Sequence, residues 1–268
     1  MTAQQPFLTD DAAVTDKGVV HVEVFNELDR LQVLQFPNLR QNTLNFKVNY
    51  GLPHGLEIDF DVPVLGIFRA PGGPLGNSKG IGDTNLGLKW NFLPGSEKTR
   101  APALAVTFYV ELPTGDVSKE LGSGLRDYAL NFIAQKHWSD KTRITCNTGL
   151  VFSGNTSTGV IGIQNTRGRV WTGGVSVLHD FHPRWTFGAE VYGGYTSNDG
   201  LAKSQLQAMV GGKFTIREGM TFDFGVAGGK FVASPRIGGL VGVSMDLPAA
   251  VKSGKKTSKP AAANPRGS

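Results

Sequence analysis

The feature that most constrains this sequence is a nearly strict alternation of polar and apolar residues from Thr43 to Val64, interrupted by one turn. Successive side chains of a β-strand point to opposite faces, so such alternation forms one apolar face and one polar face. In a helix the same residues would be scattered around the axis. The turn is Gly51-Leu52-Pro53-His54-Gly55, and its glycines and proline are typical of a tight hairpin. The segment therefore predicts a β-hairpin.

The polar face of this hairpin carries full charges and amides, among them Lys47, Glu57 and Asp59. A soluble β-sandwich buries its apolar face and usually exposes a mixture of Thr, Ser and Lys. A membrane barrel reverses this arrangement, with the apolar face toward lipid and the polar face lining the interior. The hairpin alone leaves both alternatives open.

The same alternation recurs along the chain and predicts about twelve strands. Links after even-numbered strands are mostly short, and links after odd-numbered strands are mostly long and rich in Gly, Ser and Asn. Outer-membrane barrels have this asymmetry between their two rims. We therefore predict an all-β fold, an antiparallel up-and-down transmembrane β-barrel. The predicted strands are 18–30, 42–51, 55–65, 83–93, 102–112, 126–136, 142–153, 169–179, 185–195, 204–215, 220–230 and 236–247.

Composition sets further limits on the chain of 268 residues. It has no run of the ~20 apolar residues that a transmembrane helix requires, and its single cysteine, Cys146, excludes an internal disulfide. The net charge is +5, but residues 252–266 supply five Lys or Arg and no acid. The rest of the chain is close to neutral and has no basic stripe, so nucleic acid is not an expected partner. The predicted organisation is an N-terminal periplasmic segment (1–17), a barrel (18–247) and a disordered basic, Pro/Ala-rich tail (248–268).

Motifs for catalysis or cofactor binding are weak. The glycines of 73–80 and of 122–124 match neither a phosphate-binding loop nor a nucleophile elbow and are read as loop tips. His179 and His182, with Asp180 between them, could contribute to a metal site. The sequence places no further strong ligand near them, and a polar turn needs no metal. We therefore predict no catalytic residue, metal or cofactor.

Charged residues on the polar faces of the strands are the candidate functional residues. Those assigned to the lumen by strand phase are Lys47, Glu57, Asp59, Lys89, Glu111, Arg143, Glu190 and Lys213. The alternative interpretation is that they form stabilising salt bridges within the wall. Loop 66–82 is read as either a constriction or a surface loop.

Four sequence motifs resemble a family of bacterial outer-membrane proteins named after the MetA pathway of phenol degradation. They are Leu8-Thr9-Asp10-Asp11-Ala12, Gly51-Leu52-Pro53-His54-Gly55-Leu56-Glu57, Gly80-Ile81-Gly82-Asp83-Thr84-Asn85-Leu86-Gly87-Leu88-Lys89-Trp90 and Glu111-Leu112-Pro113-Thr114-Gly115. The resemblance covers most of residues 8–247. It implies a Gram-negative outer-membrane barrel that passes small, often hydrophobic or aromatic, molecules. Two features depart from the usual pattern: residues 1–5 lack the basic start and apolar core of a signal peptide, and about twenty residues follow the last predicted strand.

The function expected from these observations is a channel for passive uptake or efflux of small molecules. The expected partners are outer-membrane lipid including lipopolysaccharide, the barrel assembly machinery and the small-molecule solute. Two other classes remain open at this point. One is a soluble β-sandwich or barrel acting as a binding or structural module, and the other is an outer-membrane barrel enzyme of the lipase or protease kind.

Overall fold

The computed structural model describes residues 5–73, 75–96, 100–153, 168–196, 204–231 and 233–248. Within them, three single-turn 3-10 helices (Val33–Gln35, Pro53–Gly55 and Val117–Lys119) accompany a β-structure. Its strands are β1 (Val19–Arg30), β2 (Asn38–Gly51), β3 (Leu56–Arg69), β4 (Ser78–Ile81), β5 (Thr84–Leu93), β6 (Ala103–Leu112), β7 (Asp127–Ser139), β8 (Thr142–Ser153), β9 (Gly168–His182), β10 (Trp185–Tyr195), β11 (Ser204–Arg217), β12 (Met220–Lys230) and β13 (Ile237–Pro248). The predicted tail lies outside the described residues, apart from its first residue, 248, at the end of β13.

Twelve of these strands form a closed antiparallel barrel, as predicted. Each strand pairs with its neighbour in the chain, and β1 closes the ring by pairing with β13 along its full length. The short strand β4 pairs only with the outer part of β3, directly before β5 continues along the same strand.

Several strands extend beyond their predicted ends. β2 begins at Asn38 and β3 continues to Arg69, so the first hairpin is longer by four residues on each side than the alternation indicates. Pairs such as Arg40↔Phe68 hold these added residues in the sheet. Backbone pairing does not depend on side-chain polarity, and the alternation therefore underestimates strand length.

The barrel has its apolar side chains outside and its polar side chains inside. On β3, Ile58 and Phe60 are 41% and 46% exposed, whereas the intervening Glu57 and Asp59 are 3% and 1% exposed. A water-soluble protein shows the opposite pattern, because burial removes apolar surface from water. This is the inside-out arrangement of a membrane barrel. The helices of the described residues are all too short to span a bilayer.

The two rims of the barrel differ in the length of their links. The rim that holds the start of β1 and the end of β13 is closed by turns as short as 140–141, 183–184 and 218–219. We call it the short-turn rim. The opposite rim carries the longer links 31–37, 70–83 and 113–126, and we call it the long-loop rim. The links 154–167 and 197–203 on that rim lie outside the described residues.

Candidate functional site: an occluded barrel lumen

The N-terminal segment, residues 5–17, enters the barrel from the short-turn rim. Near that rim the Thr15 backbone N–H donates to the Glu57 carboxylate on β3. Further along, the Ala12 N–H donates to Gln135 Oε1 on β7 at 3.2 Å, and the Ala12 carbonyl accepts from the Asn91 side chain on β5. Together with the contact to β10 described below, these bonds make the segment bridge opposite sides of the lumen. We call it the plug.

An ion pair anchors the middle of the plug. Lys89 Nζ on β5 lies 2.8 Å from Asp10 Oδ1 and 3.5 Å from Asp11 Oδ1, and the side chains of Lys89 and Asp10 are 5% and 7% exposed. Asn147 on β8 holds the backbone of Asp10, accepting from its N–H at 2.7 Å and donating to its carbonyl at 2.9 Å. A buried charge is costly unless it is paired, and here Lys89 of the wall and Asp10 of the plug pair with each other through Asp10 Oδ1.

The inner end of the plug is held by a second carboxylate. The Glu190 side chain on β10 accepts from the Leu8 N–H at 3.1 Å, and also from the Thr9 N–H and the Thr9 hydroxyl. Three donors on one carboxylate replace the water that it would otherwise bind.

The plug also packs against a small apolar area of the lumen wall. Phe7 is 3% exposed and contacts Leu178, Met209 and Ala227. A Cβ atom on Gly174 would lie 2.6 Å from Thr9 Cγ2, and one on Gly225 would lie 3.2 Å from Pro6 Cβ. Glycines of the wall therefore make room for the plug.

All eight sequence-predicted lumen residues lie on interior-facing strand positions, in three groups. Glu57, Lys89 and Glu190 bind the plug directly, as described above. Lys47 and Asp59 are buried beside it, and Tyr109 Oη donates to Asp59 Oδ2 at 3.0 Å. The remaining residues line cavities: Glu111 in the large chamber described below, and Arg143 and Lys213 in a small cavity against the plug. Their effect on solute passage stays a prediction.

The sequence analysis did not identify the plug as part of the functional site. Phase arguments apply to strands, and the polar run Leu8–Ala12 has no strand pattern, although it is one of the motifs that carry the family resemblance. The sequence analysis divides the chain after residue 17, and β1 of the wall begins at Val19. Residues before that division nevertheless hydrogen-bond to the wall, as Thr15 does to Glu57. A periplasmic location for residues 1–17 stays a prediction.

Beyond the plug, toward the long-loop rim, the lumen contains a chamber of about 350 Å³. Its volume lies in the range of small-molecule pockets. The chamber floor is formed by plug residues that include Pro6, Phe7 and Leu8. Its apolar wall includes Phe25, Leu65, Leu121, Met209 and Leu240, and its polar wall includes Lys47, Asp61, Tyr109, Glu111, Asp127 and Tyr192. The chamber can therefore hold a small molecule that has both apolar and polar groups.

Loop 113–126 folds into the long-loop rim and narrows the chamber. Both oxygens of the Asp83 carboxylate hold it, accepting from the Gly115 N–H at 2.9 Å and the Ser123 N–H at 2.8 Å. Leu121, 2% exposed, packs on Leu65 and Ile67 of β3. The constricting loop is thus 113–126. Loop 66–82, considered for this role from the sequence, instead completes β3 and forms β4.

The charged side chain of Asp116, at the tip of this loop, is held by residues of the same loop. Ser118 and Lys119 donate hydrogen bonds to Asp116, and these bonds lower the pKa of its carboxyl to about 2. The carboxylate stays charged at neutral pH and caps the 3-10 helix Val117–Lys119 through the Ser118 N–H.

Replacing Gly122 by Ala is expected to displace loop 113–126. A Cβ atom there would lie 2.3 Å from Asp83 Oδ1, the carboxylate that holds the loop. We expect G122A to increase cleavage of the loop in limited proteolysis. Gly76 is a matched control, because a Cβ atom added there meets nothing within 4 Å. If G122A and G76A were cleaved at the same rate, Asp83 would not be the anchor of this loop.

His179, Asp180 and His182, read from the sequence as a polar turn, lie at the end of β9, just before the turn 183–184, and His179 and His182 make ordinary hydrogen bonds. His179 Nδ1 pairs with Thr142 Oγ1 at 2.9 Å, and the Arg184 N–H donates to His182 Nδ1 at 3.3 Å. Across the described residues, no three His, Cys, Asp or Glu side chains are grouped so as to hold a metal ion.

The model of one protein family, described as "Putative MetA-pathway of phenol degradation", matches residues 34–247 of this chain. The chain belongs to this family. The match spans the wall from β2 to β13, and it leaves the plug and strand β1 outside the matched range. A comparison with curated proteins found no match.

Solved structures with the same fold include outer-membrane channels and porins. The COG4313 outer membrane channel from Pseudomonas putida F1 is 12% identical, with a TM-score of 0.66, over 88% of this chain and 98% of that chain. The NanC porin is 9% identical, with a TM-score of 0.57, over 85% and 100% of the two chains. The KdgM porin in complex with disordered oligogalacturonate is 10% identical, with a TM-score of 0.55, over 84% and 98%. At these identities the likeness establishes the fold alone.

Proposed function

We propose that this protein is an outer-membrane channel through which small, partly apolar molecules cross by passive diffusion. The observation that carries the proposal is the mixed chamber of about 350 Å³ between the plug and loop 113–126. Membership of the family and the channel-like fold of the solved structures support it. A channel is favoured over an enzyme because these structures are channels and porins.

The chamber chemistry favours amphiphilic solutes over strongly hydrophilic ones. Leu65, Leu121 and Leu240 offer apolar contacts, and Tyr109 and Glu111 offer hydrogen-bonding groups on the same cavity. A small aromatic molecule with one polar substituent can satisfy both sets, since its ring packs on aliphatic side chains and its polar group is not left unpaired. This solute class is also consistent with the phenol-degradation description of the family.

In a passive channel the solute moves down its concentration gradient, so the gradient sets the direction of flow. We place the long-loop rim outside the cell and the short-turn rim in the periplasm, by the general asymmetry of outer-membrane barrels. Insertion would depend on the barrel assembly machinery. A solute arriving from outside meets loop 113–126 first, then the chamber, and finally the plug.

The proposal predicts that filling the chamber abolishes transport. Ala129 on β7 lines the chamber, whereas Ala134 on the same strand has the opposite phase and faces outward. We expect A129W to reduce uptake of a labelled small phenolic compound by bacterial cells to the level of cells without the protein. A134W, which adds the same side chain on the lipid side, is expected to keep wild-type uptake.

Two results would contradict this function. The first is that cells expressing the wild-type barrel take up the compound no faster than cells that lack it. The second is that A129W transports the compound as fast as A134W. Preloading the cells and reversing the gradient tests the passive mechanism, because a passive channel releases the compound at a comparable rate.

A further inference from the structure

Two arginines face each other on the outer surface of the barrel. Arg30 on β1 and Arg40 on β2 are direct cross-strand partners, and both are exposed. Cα atoms of such partners are about 4.5–5.5 Å apart. Like charges directly opposite each other on a sheet destabilise it unless something neutralises them.

No carboxylate of the described residues neutralises this pair. None of the ion pairs among the described residues includes either guanidinium, and Arg40 instead lies over the ring of Phe68 at 5.6 Å from its centroid. Phe68 is the cross-strand partner of Arg40 on β3, and Ile237 on β13 is the partner of Arg30. Phe68 and Ile237 are 39% and 56% exposed. The arginine pair is thus flanked on both sides by apolar groups.

The pair stands at the upper end of the lipid-facing wall. Arg30 and Val20 lie on the same face of β1, ten residues apart. With a rise of about 3.3 Å per residue and a strand tilt of 35–45°, that separation corresponds to roughly 25 Å along the barrel axis. This is about the height of the apolar band of an outer-membrane barrel. The arginines therefore lie at the level of lipid headgroups on the long-loop side.

Other exposed cations lie at the same rim. Arg169 lies over Phe152 and Lys230 over Phe231, and the Arg236 N–H donates to the Arg30 carbonyl at 2.8 Å. The two acids described in loop 113–126 already pair, Asp116 with Lys119 and Glu120 with Arg69. The outer surface of this rim is therefore positive in its described part.

We propose that Arg30 and Arg40 bind lipopolysaccharide, the glycolipid of the outer leaflet of the membrane. The group that they bind is one phosphate of its diphosphorylated headgroup. A guanidinium matches phosphate with two parallel hydrogen bonds, and two adjacent guanidinium groups complement a doubly charged phosphate. The acyl chains of the same lipid pack on the apolar side chains below, such as Leu28, which is 53% exposed. The phosphate removes the repulsion between the arginines. This inference does not depend on which solute crosses the lumen.

Binding of purified diphosphoryl lipid A by the detergent-solubilised barrel, measured by native mass spectrometry, tests this site. We expect R30Q/R40Q to bind at least tenfold more weakly than the wild type. K141Q/R217Q is the matched control, since it removes two exposed cations from the short-turn rim, and its affinity is expected to stay unchanged. Inorganic phosphate in tenfold excess is expected not to displace the lipid, which distinguishes a headgroup site from a free-phosphate site.

Unchanged lipid affinity in folded R30Q/R40Q would overturn the proposal, and so would displacement of the lipid by inorganic phosphate. Heat-modifiability on a gel reports whether the variant is folded. If R30Q/R40Q does not fold, R30K/R40K provides the measurement, because lysine keeps the charge and loses the paired hydrogen bonds. We expect it to bind at least threefold more weakly than the wild type, and wild-type affinity of R30K/R40K would contradict the guanidinium–phosphate site.

Discussion

Deleting residues 5–15 is expected to increase the single-channel conductance of the barrel several-fold. These residues bridge β3, β5, β7, β8 and β10 across the lumen through Thr15, Ala12, Asp10 and Thr9. A twelve-stranded barrel encloses more space than its wall side chains fill. Removal of the plug would therefore widen the path between the two rims.

Planar-bilayer recordings measure this effect, and a heat-modifiability gel confirms that the barrel is folded. Deletion of residues 252–266 is the control, because it also shortens the chain by a comparable length and leaves the plug in place. We expect the control to conduct like the wild type. Equal conductance of the plug deletion and the wild type would mean that residues 5–15 do not limit the path.

The second large effect is expected from Lys89→Met. This substitution leaves the buried Asp10 carboxylate without the ammonium group 2.8 Å away. Removing one partner of a buried ion pair costs roughly 3–5 kcal/mol. Because the plug is held by non-covalent contacts, we expect this cost to shift the plug toward an undocked state, seen as frequent transitions to a higher-conductance level.

A double variant separates lost charge pairing from lost packing. D10N/K89M removes Lys89 together with its nearest carboxylate, and it is expected to gate less often than K89M because the more deeply buried carboxylate of the pair is gone. Lys136 on β7 is exposed, so K136M is the matched control and should gate like the wild type. The ion pair would not anchor the plug if K89M recordings were quiet, or if D10N/K89M gated more often than K89M.

The wall of this protein can be predicted largely from local patterns. Glu57, Ile58, Asp59 and Phe60 alternate in sequence, and the structure places them alternately inside and outside. Alternation has this predictive power because a strand has a period of two in any environment. The parity of the link lengths then favours the membrane barrel over the soluble sandwich.

The partners of the lumen charges could not be predicted in the same way. Strand phase places Lys89 on the polar face and suggests acids of neighbouring strands as its partners. In the structure its ion pair is with Asp10, 79 positions earlier in the chain. The contact between Thr9 and Glu190 spans 181 positions. Periodicity carries no information on contacts of this range.

The Thr43–Val64 alternation and its repeats establish, without coordinates, that the chain forms an amphipathic up-and-down sheet with a charged face. Side-chain period and turn chemistry are local properties, which is why they can be read along the chain. Whether the charged face encloses an open pore is not local. It depends on the return of residues 5–17 into the closed ring, where buried Lys89 and Glu190 are satisfied by the plug. The plug can dock only after the strands that carry these side chains have paired. Its docking free energy is therefore a property of the closed barrel and of no local segment.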